Sequence, residues 1–429
     1  MSTLAHTLRG TRADALRLLP PAGGTPSLRA HGERYGALPA LQGEGAALIA
    51  AIEASGLRGR GGAGFPTGVK LAVVADGRRP VVVANGVEGE PASHKDALLL
   101  RVNPHLVLDG AVAAAIAVGA RRIVMAVGRG ATAARTSVAA AIAERREAGE
   151  RIAIDLAEAP ERFVAGEETA LVQWLNGAPA KPAFVPPRPS ERGVDGRPTL
   201  VQNVETLANV ALIARFGPES FRALGTTDEP GSMLLTLGGA VARPGITEVE
   251  AGTALRVALE RRGKLPATPS AVLVGGYFGT WLPGAAALAA RLSEAALGPL
   301  GAALGARSIA VLPPTSCGLA ETARVVGYLA RESAGQCGPC LFGLRAIAGA
   351  LAEVAACEAG ARDAVRRLRQ LAPQVAGRGA CAHPNGATRL VESALAVFAD
   401  ELGHHLAGHC TARTAAPVLP IPAVSKGWR

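Results

Sequence analysis

The chain has 429 residues, 49% of them hydrophobic and 19% charged, which describes a soluble globular protein with an ample core and room for two to four domains. Aromatic residues make up only 3%, so the core is built mostly from Ala, Val and Leu, and no apolar run reaches the roughly 18 residues of a spanning helix. The net charge of +10 is carried mainly by arginine, but no nucleic-acid motif accompanies it and few aromatics are available for base stacking, so it reads toward an acidic redox partner or nucleotide phosphates.

Residues 1–44 read as an arm. Its first twenty residues mix apolar side chains with Arg and His and lack the compact apolar stretch of a secretory signal, and Pro20-Pro21-Ala22-Gly23-Gly24 is a flexible break. From 45 to 230, strand-like runs alternate with helical segments. The runs at 81–84 and 123–127 end at Asn85-Gly86 and Gly128, and 106–116 between them reads as a crossover helix. That alternation predicts a Rossmann-like α/β domain, a parallel sheet with ligand loops at the C-terminal strand ends. Near Gly231 the pattern changes. Runs at 233–237, 245–249 and 271–276 read as strands and 255–262 as a helix, a β-β-α-β order extending to about 315. Alanine-rich amphipathic runs at 346–356, 362–371 and 387–404 predict an antiparallel helical bundle over 316–412, and the Pro-rich residues 413–429 read as a tail.

The densest chemistry lies in Gly56-Leu57-Arg58-Gly59-Arg60-Gly61-Gly62-Ala63-Gly64-Phe65-Pro66-Thr67-Gly68-Val69-Lys70. Glycines let backbone N–H groups crowd a ligand, successive N–H groups form an anion nest, and the arginines and Lys70 add positive charge. A phosphate-bearing cofactor is the natural occupant. The spacing is neither the P-loop nor the usual dinucleotide fingerprint. An acidic segment follows, Asn85-Gly86-Val87-Glu88-Gly89-Glu90-Pro91-Ala92-Ser93-His94-Lys95-Asp96, and then Ala165-Gly166-Glu167-Glu168-Thr169-Ala170-Leu171. Glu167 and Glu168 open a helix, where the dipole alone would favour them; Glu88 and Glu90 have no such explanation. Six cysteines are too few for a disulfide scaffold, and their grouping points to a metal site in a reducing compartment. Cys337, Cys340 and Cys381 are the grouped set, with a redox pair or a zinc site as plainer readings. His404, His405, His409 and Cys410 look metal-like, but histidines at a helix C-terminus are favoured by the dipole, and Cys317 and Cys357 read as small buried residues.

These segments, with Gly196-Arg197-Pro198-Thr199-Leu200-Val201-Gln202-Asn203-Val204-Glu205-Thr206-Leu207, resemble the NADH-oxidising flavoprotein subunit of respiratory complex I, a type shared with NAD-linked hydrogenases and formate dehydrogenases. The motifs fall in the family's order and cover about residues 45–410. The resemblance implies FMN held by Gly59, Arg60, Gly61, Gly62, Gly64 and Lys70, with Asn85, Gln202 and Asn203 as further contacts. It implies that Glu88, Glu90, Glu167 and Glu168 line a nicotinamide pocket beside Phe65, Phe163, Gly166 and Arg188, with Glu90 and Glu168 as catalytic candidates. For 231–315 it implies a β-grasp domain of SLBB type. For the bundle it implies a [4Fe–4S] cluster on a C-x-x-C-x-x-C run plus a distant cysteine.

Here Ala334 stands where the first of those cysteines would be. Cys337, Cys340 and Cys381 remain, which implies a [4Fe–4S] cluster on three cysteines or a [3Fe–4S] cluster. His383 is the nearest non-cysteine candidate for the vacant corner, a surface or hydrogen-bonding histidine being the plainer reading. The expected function is hydride transfer from NADH to FMN. Single electrons then pass through the cluster to a thioredoxin-like [2Fe–2S] protein, a ferredoxin or a quinone-reducing complex. The expected location is cytoplasmic or peripheral to the inner face of the membrane, with no nucleic-acid partner. Val87 replaces a usual aspartate, Phe163 a usual tyrosine, Val185 a usual lysine, and Arg188 and Val73 usual aromatics. Those departures leave open an NADPH-specific variant, or an electron-transfer module that does not use NADH.

Overall fold

The computed structural model describes residues 18–20, 27–424 and 427–429. Most of the expected N-terminal arm, including nearly all of the Pro20–Gly24 break, lies outside the described residues. Within them, Leu28–Tyr35 is a helix capped by the Ser27 side chain.

Four parallel strands form the first sheet: β1 Val81–Gly86, β2 Arg122–Gly128, β3 Ala153–Ala159 and β4 Thr199–Asn203, in the order β3-β2-β1-β4. Residues 81–84 of β1 are fully buried, which is why the strand reads as an unbroken apolar run. The register sets Asn85 opposite Asn203, so two asparagines end adjacent strands side by side. The crossover helix Pro104–Val118 packs on the long helix Val204–Arg222. Gly110 allows that approach, since a Cβ there would lie 1.7 Å from the Leu207 carbonyl oxygen. Asp109 ties the layer together, receiving Arg145, Arg215 and His31 in the interior.

The second sheet is mixed. It contains β5 Ser232–Gly239, β6 Gly245–Glu250, β7 Ala271–Val274, β8 Thr280–Pro283 and β9 Ser308–Leu312 in the order β6-β5-β9-β7-β8. β5 and β9 run parallel at its centre with antiparallel neighbours outside, the arrangement expected of a β-grasp unit. The expected helix at 255–262 is α-helical only over Leu255–Ala258 and widens to a π-turn over Leu259–Gly263.

Beyond the second sheet, the helices Gly318–Arg331, Arg345–Ala355, Ala361–Val375, His383–Val397 and Ala399–Leu406 form the C-terminal bundle. The run expected as one helix to 404 breaks at Phe398, whose ring packs against Trp281. Residues expected as a loose tail are docked. Leu419 is 2% exposed and donates its N–H to Glu321, the Tyr277 hydroxyl bonds to the Pro420 carbonyl, and the Arg162 guanidinium sits 3.9 Å from the Trp428 ring centroid. Among the described residues, no single helix is long and apolar enough to cross a membrane.

Candidate functional site

The glycine-rich segment is a closed loop at the C-terminal edge of the parallel sheet. Gly59 N–H donates to the Phe65 carbonyl at 2.9 Å, Thr67 N–H to Leu57 at 3.0 Å, and the Arg58 guanidinium to the Gly64 carbonyl at 3.1 Å. Between those closures, no partner among the described residues takes the N–H of Gly61, Gly62, Ala63 or Gly64. Gly62 and Gly64 have φ of +116° and +62°, the left-handed backbone that turns such N–H groups toward one side. A Cβ at Gly61 would come within 3.2 Å of Asn203 Cβ, whereas none would meet anything within 4 Å at Gly64. The loop is therefore tight against β4 and open outward, and it fits a phosphate.

Arg60 plays a different part from the one its charge suggests. Its side chain is 6% exposed and donates to the Ser232 carbonyl at 3.0 Å, while its N–H is taken by Thr206 Oγ1 at 2.8 Å. Burial, helped by neighbouring Arg307, pulls its guanidinium down to about 10. Arg307 donates to the Arg60 carbonyl at 2.7 Å, so the residue just before the central strand β9 of the second sheet props the loop from behind. Lys95 lies beside them, 2.7 Å from Asp96 and 2.9 Å from Glu205. Arg60, Arg307 and Lys95 are matched here by Asp96, Glu205 and Glu88, so the floor behind the loop is a buried, charge-balanced network.

The acidic segment wraps the same strand end. Asn85 Nδ2 donates to the Gly166 carbonyl at 2.8 Å, and Asn203 caps its helix through Glu205 N–H while its Nδ2 donates to Asp96 at 2.7 Å. Glu88 accepts Ser93 Oγ at 2.6 Å and the Ala97 N–H at 3.3 Å, at the start of the helix Lys95–Val102. Glu90 accepts the N–H groups of Ala92 at 3.0 Å and Tyr277 at 2.8 Å; burial pushes its carboxyl up to about 7. Glu167 is the N-cap of Glu168–Leu175, with a carboxyl raised mainly by burial, so the helix-start reading holds for it. Glu168 pairs with Lys70 at 2.6 Å. Their ion pair joins the helix Thr67–Ala75 to the helix Glu168–Leu175, and Ala183 N–H bonds to Thr169 Oγ1 on the latter at 2.8 Å. Exposed apolar side chains border both walls: Phe65 and Val73 on one, Phe184 and Val185 on the other. Arg188 is exposed beyond them, with its N–H on Glu191, and Gln202 is buried within β4.

Phe163 points away from that cleft. Its ring packs on Phe278 at 4.8 Å and His383 at 5.5 Å, and its N–H donates to Glu332 at 2.8 Å. Glu332 also receives the Arg162 Nε at 2.9 Å, so the segment before Gly166 is bolted to the bundle. Directly there, a cavity is lined by Val164, Ala334, Cys337, Cys340, Cys381 and His383. The three sequence-predicted cysteines thus converge around the alanine that replaces the fourth. Burial pushes both thiols up, Cys340 to about 12 with help from its neighbouring thiols and Cys381 to about 11 with help from Glu167 and Cys337. His383 is buried, not on the surface. Its Nε2 donates to the Leu329 carbonyl at 2.8 Å, which leaves an Nδ1 with no partner beside the cysteines. No three of these four residues bring their ligand atoms within 4.8 Å of one another.

Lys95, Asp96, Glu205 and Thr206 lie within motifs that the sequence singles out, but nothing local in those motifs announces their pairing. Arg307 carries no local signal at all.

Residues 52–212 match the family described as the Nuo51 FMN-binding domain, and residues 320–405 match the iron–sulfur binding region of NADH-ubiquinone oxidoreductase-F. The F subunit numbered 2 of the NADH-quinone oxidoreductase of Rhizobium meliloti (strain 1021) is 32% identical over 84% of this chain and 88% of its own length. The corresponding F subunit of Streptomyces coelicolor is also 32% identical, over 84% of this chain and 83% of its own. Among solved structures, the air-oxidised NAD+-reducing [NiFe]-hydrogenase matches 89% of this chain with a TM-score of 0.79 and 33% identity, and the H2-reduced form matches 85% with the same score and 32%. The chain spans 65% and 63% of those hydrogenase chains. With likeness of that depth running through both the glycine loop and the cysteine cavity, the chain belongs to the family of NADH-quinone oxidoreductase F subunits.

Proposed function

We propose that this chain takes hydride from NADH in the cleft between the glycine loop and the acidic segment, and passes electrons singly through a cluster at Cys337, Cys340 and Cys381. The observation that carries this is the shared wall between the two sites. Gly166 receives Asn85 from the end of β1, and Val164, two residues earlier, lines the cysteine cavity. When bound, FMN supplies the conversion of a two-electron hydride into single electrons.

This chain's residues do the rest. The free N–H groups of residues 61–64 hold the phosphate. Asn85 and Asn203 set the edge of the isoalloxazine pocket. Glu90 holds or releases a proton near neutral pH, since burial has placed its carboxyl at about 7. Phe65 and Phe184 offer exposed rings to the nucleotide bases, and Arg188 offers a guanidinium to its phosphates. In the cavity, Cys337, Cys340 and Cys381 would hold the cluster, and His383, whose Nδ1 has no partner, lines the same cavity as Ala334. The acceptor is a second protein, in keeping with relatives that are named as subunits, and we assign it to a thioredoxin-like [2Fe–2S] protein or a ferredoxin.

The test is an anaerobic absorbance titration of the FMN- and iron-reconstituted chain with NADH, with NADPH in parallel. Bleaching of the flavin band is expected with NADH. A flavin that ignores both nucleotides but reduces with dithionite would overturn the dehydrogenase reading.

A further inference from the structure

A second group of metal-ligating side chains lies at the far end of the bundle. Cys317, Glu401, His405 and Cys410 each offer one ligand atom, and all four atoms fall within 4.8 Å of one another. Among the described residues no other set does so. We infer that these four residues form a separate mononuclear site for a tetrahedral divalent cation of zinc type.

The distances suit such an ion. Cys317 Sγ lies 3.5 Å from His405 Nε2, against about 3.6 Å between sulfur and nitrogen on a zinc tetrahedron. Glu401 Oε1 is 3.8 Å from His405 Nε2, a few tenths beyond the roughly 3.4 Å of a closed site, and it is buried without a hydrogen bond. Two thiols, an imidazole and a carboxylate are donors that zinc accepts together.

The surroundings are those of metal ligands. His405 is fully buried, and its Nδ1 donates to the Val354 carbonyl at 2.9 Å. A carbonyl only accepts, so the proton is on Nδ1 and the Nε2 lone pair faces Cys317. Backbone N–H groups are aimed at the other ligands. Ala320 donates to Cys317 Sγ at 3.1 Å, Ala412 to Cys410 Sγ at 3.5 Å, and Gly318 to Glu401 Oε2 at 3.2 Å. Cys317 caps the helix Gly318–Arg331, Glu401 and His405 stand one turn apart on Ala399–Leu406, and Cys410 follows that helix. The ion would pin the segment after 406 to the first helix of the bundle. Binding forms two metal–sulfur bonds and releases the thiol protons to solvent, with no change of oxidation state.

The experiment is elemental analysis of the full chain purified anaerobically, with iron and zinc counted together. About one zinc per chain is expected beside the iron. Cys410→Ser and Glu401→Gln should each lower zinc severalfold while iron and flavin stay unchanged, and Cys337→Ser should do the reverse. Cobalt exchanged into the site should show thiolate-to-metal absorption and tetrahedral d–d bands, lost in Cys410→Ser. The inference is overturned by a chain that takes up neither zinc nor cobalt. A zinc content indifferent to both substitutions would overturn it equally, as would a Cys317–Cys410 disulfide found by mass spectrometry in the anaerobic protein.

Discussion

Single residues decide what each pocket can hold. At Gly62, φ of +116° is backbone that an L side chain adopts only with strain of about 1–3 kcal/mol. Gly62→Ala should therefore lower the melting temperature by a few degrees and, as the loop shifts to relieve the strain, weaken FMN retention by about tenfold or more, read by flavin fluorescence on titration. Glu90 acts through its proton. Its carboxyl is raised by burial from 4.5 to about 7, so the folded chain keeps a proton that the unfolded chain has lost. Stability from this group is full below pH 4.5 and falls as pH rises toward 7. Glu90→Gln should flatten that slope in denaturant titrations across the same window; an unchanged slope would assign it to other groups. At Ala334 the missing ligand can be restored. Ala334→Cys should convert the electron paramagnetic resonance signal of the oxidised protein from a three-iron or labile form to the silent oxidised state of a stable [4Fe–4S] cluster.

At the scale of elements, Asp109 is the clearest test. Burial opposes its ionisation, but His31, Arg145 and Arg215 outweigh that and hold its carboxyl well below the usual range. It joins the helix Leu28–Tyr35 to Pro104–Val118, Thr132–Glu147 and Val204–Arg222. Asp109→Ala removes the buried carboxylate on Arg215 and leaves Arg145 with only Glu150 at 3.5 Å, and it should cost about 3–5 kcal/mol, seen as a lowered urea midpoint. Elements buried on both faces were legible in the sequence, because β1 and β2 write continuous apolar runs. β3 was not, since its exposed face interrupts the pattern with Asp155 and Glu158. β4 hid inside a motif read only for chemistry, and β9 is a five-residue run too short for periodicity to classify. The break at Phe398 has neither glycine nor proline to announce it. For the sites, runs local in sequence were legible, namely the glycine loop, the acidic segment and the paired cysteines. Partnerships assembled from distant segments were not: Arg307 behind Arg60, or Cys317 beside His405 and Cys410.

Across the whole molecule, the second sheet and the bundle hold the flavin cleft in shape. Tyr277 N–H fixes Glu90, Ser308 Oγ donates to the Ala92 carbonyl at 2.6 Å, and Arg307 supports the glycine loop. Glu332 makes the corresponding link toward the cluster. Glu332→Ala strips Arg162 and the Phe163 N–H of their shared acceptor and loosens the wall between the two sites. In stopped-flow measurements it should leave NADH reduction of the flavin intact and slow electron arrival at the cluster, with Glu332→Gln recovering part of the rate. Equal rates in both variants and the parent would show that this wall does not govern transfer.

Lys70 and Glu168 already neutralise each other across the mouth of the cleft at 2.6 Å. A phosphate that takes Lys70 must first evict a carboxylate, so occupation is an exchange of counter-ions and not a net capture of charge. Added salt weakens the old pair and the new one together. The affinity of the cleft for its anionic cofactor should then vary little with ionic strength, and the freed Glu168 is left facing the cleft with its charge unspent, ready for a hydroxyl or amide donor on whatever enters next.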